Sequence, residues 1–298
     1  MVRHGAQFDQ MTIGIVGAGR IAQSLGHLLN RRGATVVSVA ARRWASAEGA
    51  ALFIGSPARP VTLSQLTAEA DHLILCVTDS ALPALAQELQ RNGFSRGCVL
   101  HTSGGAGLLP LASLAAAGVA TGVLHPLQTV PTPEAGATNL PGSYFAIGGD
   151  LPAVEWANEL VALLQGHALH IEADAWPLYH AAAVMASNYQ CALVDSALEL
   201  LVCSGIDRET ALAAIGPIIR AAAHNNAVHG PVNALTGPIA RGDAGTVTAH
   251  LTALAAASLE TRQLYVAAGL RTLPIAQERG LPEAAVNILR STLTATHS

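Results

Sequence analysis

Residues 179–189 of the chain read Tyr-His-Ala-Ala-Ala-Val-Met-Ala-Ser-Asn-Tyr. At helical spacing, His180, Val184, Ser187 and Asn188 fall on one face. Burying an imidazole, a hydroxyl and a carboxamide along one stripe of an apolar helix is costly without partners, so such a stripe belongs beside a polar cleft. Imidazole, with an ordinary pKa of about 6.5, can give or take a proton at neutral pH. Two readings of His180 stand on these residues: a packed helix histidine, or a proton donor to a substrate.

Other groups share that ambiguity. His125 precedes a proline inside Gly-Val-Leu-His-Pro-Leu-Gln-Thr, a constrained strand-end position that by itself suits a structural histidine. Cys-Val-Leu-His-Thr-Ser-Gly-Gly (98–105) ends an apolar run with Ser103 and Gly104, and Cys-Val-Thr-Asp ends another with Val77 and Thr78. Small and hydroxyl-bearing residues at strand ends fit a cofactor and substrate pocket, and they fit an ordinary turn equally well. The run is not a Gly-x-Ser-x-Gly nucleophile elbow, which argues against a hydrolase. Arg241, in Ala-Leu-Thr-Gly-Pro-Ile-Ala-Arg-Gly-Asp (234–243), can hold a carboxylate or pair with an acid, while Asp243 and Thr246 can simply start a helix. All sixteen basic residues are arginine. Without lysine, Schiff-base chemistry, P-loop phosphoryl transfer and Tyr-Lys dehydrogenation are excluded, and a proton donor must be His, Tyr, Cys or a carboxylic acid. The histidines at 101, 125, 180, 224, 229 and 250 show no His-x-His or His-Glu-x-x-His spacing, so no metal is expected.

Upstream, Gly17-Ala18-Gly19-Arg20-Ile21-Ala22 follows an apolar run and precedes a helical one. This is the Gly-x-Gly-x-x-Ala form of a dinucleotide fingerprint: the first glycine for the tight turn, the second for close approach of pyrophosphate, the small third position for helix–strand packing. Where the second strand ends, an acid would suit the ribose of NAD, but the chain offers Arg42 and Arg43. Guanidinium groups bind a 2′-phosphate, so NADP(H) is the expected cofactor.

The elements that must position these groups follow a clear rhythm. Apolar runs at 11–16, 34–41, 72–78, 98–103, 122–130, 143–149 and 168–172 alternate with helical patterns, the last of them spanning about 152–166. That predicts a mostly parallel α/β sheet domain over residues 11–173. From 174 to 298 helix-length runs dominate (177–204, 208–228, 244–268, 282–295), broken at Gly205, Gly230-Pro231, Gly237-Pro238, Gly269 and Gly280, which predicts an all-α second domain. The cleft expected beside the His180 stripe lies between the two.

With 51% apolar and 12% charged residues, the chain has the composition of a folded globular protein. A net charge of −4 without a basic run excludes nucleic acid and anionic membrane as expected partners. The polar first ten residues and the short apolar run after them predict neither a secretion signal nor a membrane span. Four cysteines without paired spacing are expected to be reduced and mostly buried, in a cytoplasmic protein.

With GAGRIA, HTSGG, LHPLQT, YHAAAVMASNY and ALTGPIARGD in this order, residues 11–295 resemble a family of bacterial two-domain proteins. These carry a Rossmann-like NADP-binding domain and a helical C-terminal domain like that of 6-phosphogluconate dehydrogenase. The family is similar to the β-hydroxyacid dehydrogenases, pyrroline-5-carboxylate reductase and ketopantoate reductase. The resemblance implies an NADPH-dependent reductase of a small carboxylate-bearing ketone or imine, with a ketopantoate-like 2-keto acid first among them; the alternative is a non-catalytic NADP(H) sensor. One departure matters: the lysine that the β-hydroxyacid dehydrogenases place one turn before their asparagine falls, if Asn188 matches, at Val184. His180, one turn earlier, is then the expected proton donor and His125 the second candidate. Asn188 and Ser103 would orient the reacting group, Gly104 and Ser187 would line the substrate, and Arg241 would anchor its carboxylate. The apolar helices predict a homodimer.

Overall fold

A computed structural model describes residues 11–295; the polar stretch 1–10 lies outside them. The chain divides into two compact units, one running to Ser187 and the other from Asn188.

The first unit is built on eight strands: β1 (Thr12–Val16), β2 (Thr35–Ala40), β3 (Arg59–Pro60), β4 (His72–Leu75), β5 (Cys98–His101), β6 (Ala120–Pro126), β7 (Tyr144–Gly149) and β8 (His167–His170). Its helices are α1 (Arg20–Arg31), α2 (Trp44–Ile54), α3 (Leu63–Glu69), α4 (Leu82–Arg91), α5 (Ala112–Ala116), α6 (Pro133–Asn139), α7 (Leu151–Leu163) and α8 (Trp176–Ala186). The strands form one sheet in the order β3-β2-β1-β4-β5-β6-β7-β8. All neighbours are parallel except β6 and β7. The fold is Rossmann-like, and the strand order reverses direction at β1, where open α/β sheets bind ligands.

Because helices cover both faces, the central strands are apolar on both sides. Ile13 and Ile15 of β1 join Ile74, Leu100 and Leu124 in one buried layer with Leu25 and Leu29 of α1. Val16, Leu73, Leu75 and Val99 point the other way, onto Leu66, Leu89 and Phe94. Registers that pair Val16 with both Ala40 and Leu75, and Leu75 with His101, bring the carboxyl ends of β1, β2, β4 and β5 level. That shared edge carries Gly17, Arg42, Val77 and Ser103 just beyond the strands.

The described residues of the second unit form only helices: α9 (Asn188–Cys203), α10 (Arg208–Ala234), α11 (Pro238–Arg241), α12 (Ala244–Ala253), α13 (Leu259–Glu278) and α14 (Glu283–Thr294). Val247, Leu251, Leu273, Val286, Leu289 and Leu293 make its core. Several expected boundaries shift. The apolar run 122–130 is strand only to Pro126. The run 177–204 is two helices, parted at Ser187, whose φ of −128° and ψ of −70° leave the helical region. Its hydroxyl donates to the Ala183 carbonyl at 2.7 Å, the local side-chain bond that bends or ends helices. The run 244–268 is also two helices, because Ala257 is extended and Ser258 caps α13 through Thr261. Gly269 breaks nothing: it sits inside α13, where a Cβ would come 2.9 Å from Leu293. Of the four free cysteines, expected mostly buried, Cys191 and Cys203 are exposed.

Candidate functional site

The fingerprint is assembled as its spacing requires. Gly17 has φ +122°, and a Cβ there would lie 2.2 Å from the Cys76 carbonyl oxygen, so only glycine lets β1 turn away against the end of β4. Gly19 caps α1, and nothing lies within 4 Å of where its Cβ would be. The backbone there is open to an approaching group. The first-turn N–H groups of α1 lack intrahelical acceptors, and no acid sits among them, so this end favours an anion. Ala22, the small third position, is fully buried. Arg20 is exposed and donates to the Pro131 carbonyl at 3.1 Å, while Ala18 and Ile21 are half-buried at the turn.

Arg42 and Arg43 lie between β2 and α2, both exposed, and neither pairs with an acid or a hydrogen-bond acceptor among the described residues. Trp44 beside them is 52% exposed. Beyond β4, Val77 is half-buried and Thr78 is exposed, its hydroxyl 3.4 Å from that of Ser80.

The strand ends of β5 and β6 carry two histidines and α8 brings a third beside them, the three in different states. His101 is fully buried. Its Nδ1 accepts from the Ser103 N–H at 3.1 Å, so its Nε2–H donates to the Gly107 carbonyl at 2.7 Å. Burial holds its pKa below the ordinary value, and the ring is a structural brace for the turn. Ser103 is buried too, and its hydroxyl accepts from the Ala106 N–H at 3.1 Å.

His125, near the end of β6, has Nδ1 2.7 Å from the Tyr179 phenolic oxygen. Burial, then the neighbouring His180 and His101, depress its pKa to about 4 against a weaker pull from Asp79. It is therefore a neutral ring at physiological pH. His180 of α8 meets it edge-on, with ring centroids 6.1 Å apart. Gly104 explains how both rings fit: a Cβ on it would lie 2.7 Å from His125 Nε2 and 2.8 Å from His180 Nδ1. Gly105 is next to it, with His180 Cδ2 3.0 Å from its Cβ position. His180 Nδ1 is buried and has no hydrogen-bond partner among the described residues.

Trp176 holds α8 in this position. It is 1% exposed, packs with Val123 and Ala146, and comes within 3.0 Å of the Cβ position of Gly148. Tyr179 meets its indole edge-on at 5.7 Å. Sequence reasoning missed both Trp176 and Tyr179. The available signal was Ala-Trp-Pro, in which a proline at the first helical turn marks the start of α8.

Of the residues singled out from sequence, the first unit brings His125, His180 and Gly104 together, with Ser103 in the same turn as Gly104. The helical stripe expected to join His180, Ser187 and Asn188 does not run on one helix: Ser187 ends α8 and Asn188 opens α9. Asn188 and Arg241 belong to the second unit. Arg241 ends α11, exposed and without an ion pair within 4.0 Å among the described residues, while Asp243 caps α12 by accepting from the Thr246 N–H at 2.9 Å. Those bonds, ahead of Arg241, hold the Asp243 carboxyl below its ordinary pKa.

Comparison with known proteins agrees with this architecture. The Rossmann-like domain family matches residues 3–126, and a domain of unknown function, DUF2520, matches residues 143–272. No curated protein sequence matches. Among solved structures, one from Bacteroides fragilis, described as an NADP oxidoreductase, is 23% identical with a TM-score of 0.68, covering 92% of this chain and 99% of its own. A Thermotoga maritima protein is 19% identical with a TM-score of 0.72, covering 89% and 99%. The pyrroline carboxylate reductase of Plasmodium falciparum, solved with NADP bound, is 11% identical with a TM-score of 0.57, covering 96% and 100%. At these identities the likeness is one of fold.

Proposed function

We propose that this chain is an NADPH-dependent reductase of a small carboxylate-bearing ketone or imine, a ketopantoate-like 2-keto acid being the first candidate. The observation that carries the reading is the meeting of His125 and His180 over Gly104, on the strand-end edge where this fold takes ligands. A proton-donor site and a nucleotide site thereby share one edge of one sheet.

The residues present fit NADP(H). Gly17 to Ile21 would hold the pyrophosphate at the open face of Gly19 and the first turn of α1. Arg42 and Arg43, without an ion pair or hydrogen-bond acceptor among the described residues, would take the 2′-phosphate, and Val77 and Thr78 would border the nicotinamide end. When bound, the cofactor supplies the hydride. His180 would give the proton that the reduced oxygen or nitrogen requires, His125 would offer a neutral N–H beside it, and Ser103 and Gly104 would shape the floor. Asn188 and Ser187 would orient the substrate, and Arg241 would anchor its carboxylate.

The reading includes a homodimer formed through the helical unit. In α10, whose helical geometry breaks at Gly230 (φ +72°, ψ 160°), only Ala211 is buried, and Leu212, Ile218 and Val228 are 52%, 67% and 58% exposed. A second copy is the partner that such apolar helices suit. No helix among the described residues is long and apolar enough to cross a membrane; we place the protein in the cytoplasm.

The test is an NADPH-oxidation screen over 2-keto acids including ketopantoate, cyclic imines and small aldehydes, with NADH in parallel. Turnover with an NADPH preference supports the proposal. Tight NADPH binding with no compound reduced would favour the non-catalytic sensor, and a clear NADH preference would overturn the assignment of Arg42 and Arg43.

A further inference from the structure

Tyr179 opens the Tyr-His-Ala-Ala-Ala motif without having been assigned a role, yet among the described residues its hydroxyl is the side-chain group hydrogen-bonded to the imidazole pair, 2.7 Å from His125 Nδ1. We infer that Tyr179 is a positioning residue whose phenol donates to His125 Nδ1, fixing His125 as the Nε2–H tautomer and leaving His180 as the imidazole that carries the transferable proton. This deepens the reductase reading and rests on it for the identity of the proton's destination.

The direction of the bond follows from the chemistry of the two groups. A phenol is a strong donor and a weak acceptor, whereas a neutral imidazole nitrogen is a strong acceptor. Among the described residues the Tyr179 oxygen has no other hydrogen-bond partner, so donating to Nδ1 is the arrangement that satisfies its proton. The hydrogen on His125 must then sit on Nε2. That nitrogen faces Gly104, at the same point that His180 Nδ1 approaches from α8.

The rest of the cluster sharpens the division of roles. The titratable groups around His125 are Tyr179, His180, His101 and Asp79. His101 is committed on both nitrogens, to the Ser103 N–H and the Gly107 carbonyl. His125 is committed on Nδ1 to Tyr179. His180 Nδ1, buried near the His125 Nε2–H, has no hydrogen-bond partner among the described residues. Two cations side by side in this setting would repel each other strongly, so the cluster accommodates one protonated ring at most. Burial raises the Tyr179 phenol to about 12, so it can orient without ionising.

The inference is tested by ¹⁵N-resolved NMR of the histidine side chains in the full chain, with His125 assigned by the signal lost in His125→Gln. The expected result is a neutral His125 in the Nε2–H form from pH 5 to 8, and loss of that tautomer preference in Tyr179→Phe. A wild-type His125 in the Nδ1–H form overturns the inference, and so does an unchanged tautomer in a folded Tyr179→Phe. The wild-type measurement needs no variant, so the inference stays testable even if Tyr179→Phe does not fold. None of these readings involves turnover, so a failed tautomer is distinguishable from a failed substrate screen.

Discussion

Replacing Gly104 by alanine adds a single methyl group at the most crowded point of the site. Its Cβ would lie 2.7 Å from His125 Nε2, 2.8 Å from His125 Cε1 and 2.8 Å from His180 Nδ1. Ordinary contact needs roughly 3.5–4 Å, so both rings must withdraw. Gly104 does not use the left-handed backbone region, so the whole effect comes from these contacts. His125 is tied to Tyr179 and β6, and His180 to an α8 anchored by Trp176, so neither ring can move without disturbing its support. Overpacking of this kind costs about 1–3 kcal/mol of stability. A displacement of about 1 Å at reacting groups can cost about 10²-fold in rate. Gly104→Ala is therefore expected to remain folded and bind NADPH with near-normal affinity while losing about 10²-fold in turnover. Urea unfolding, NADPH titration and NADPH oxidation on one preparation measure the three quantities. Gly49→Ala is the control: Gly49 is exposed in α2 with nothing within 4 Å of its Cβ position, so alanine should stabilise by up to about 1 kcal/mol. A Gly104→Ala protein with wild-type turnover would refute the idea that the two imidazoles act there.

Removing both guanidinium groups, in Arg42→Ala/Arg43→Ala, should weaken NADPH by about 1.5–3 kcal/mol per hydrogen bond lost to the phosphate and leave NADH nearly unchanged; equal losses in calorimetric Kd values would contradict this. Gly17→Ala should destabilise by about 3 kcal/mol and abolish cofactor binding, because its Cβ meets the Cys76 carbonyl and its φ is +122°; a stable, binding variant would count against the fingerprint. The depressed pKa of His125, about 4 when folded, means that the unfolded chain binds its proton first as acid is added. Its contribution is complete above pH about 6.5 and is lost as pH falls toward 4, by at most about 3 kcal/mol. Comparing urea midpoints at pH 7 and pH 5, His125→Gln should show a shallower decline than wild type, and an identical slope would refute it. Sedimentation at micromolar concentration should show a dimer; a monomer would remove the assignment of α10 as an interface.

How far the site could be read from the sequence differed by residue. Gly17 and Gly19 were legible because a βα turn with a phosphate-sized opening demands glycine at fixed spacing, and only local geometry is involved. The sheet was legible because a strand buried on both faces is an uninterrupted apolar run. His180 and His125 could be suspected singly, but their meeting depends on α8 folding back across β6, 54 residues away from His125 to Tyr179. No local pattern encodes that distance. The break at Ser187 was hidden because serine is tolerated within helices, and its back-bond to Ala183 is decided by three-dimensional context. Gly104 read as a substrate-lining residue at a strand-end turn, and nothing in the sequence indicated that it leaves room for two imidazole rings. Gly269 read as a helix end, whereas it makes room for Leu293 inside α13.

On the proposed function, His180 supplies the proton for an NADPH-dependent reduction. The most direct test of this is the single-turnover rate of NADPH oxidation by His180→Ala with a compound that the wild-type protein reduces. A loss of about 10²–10⁴-fold is expected, with NADPH affinity unchanged. A wild-type rate in that variant would contradict it.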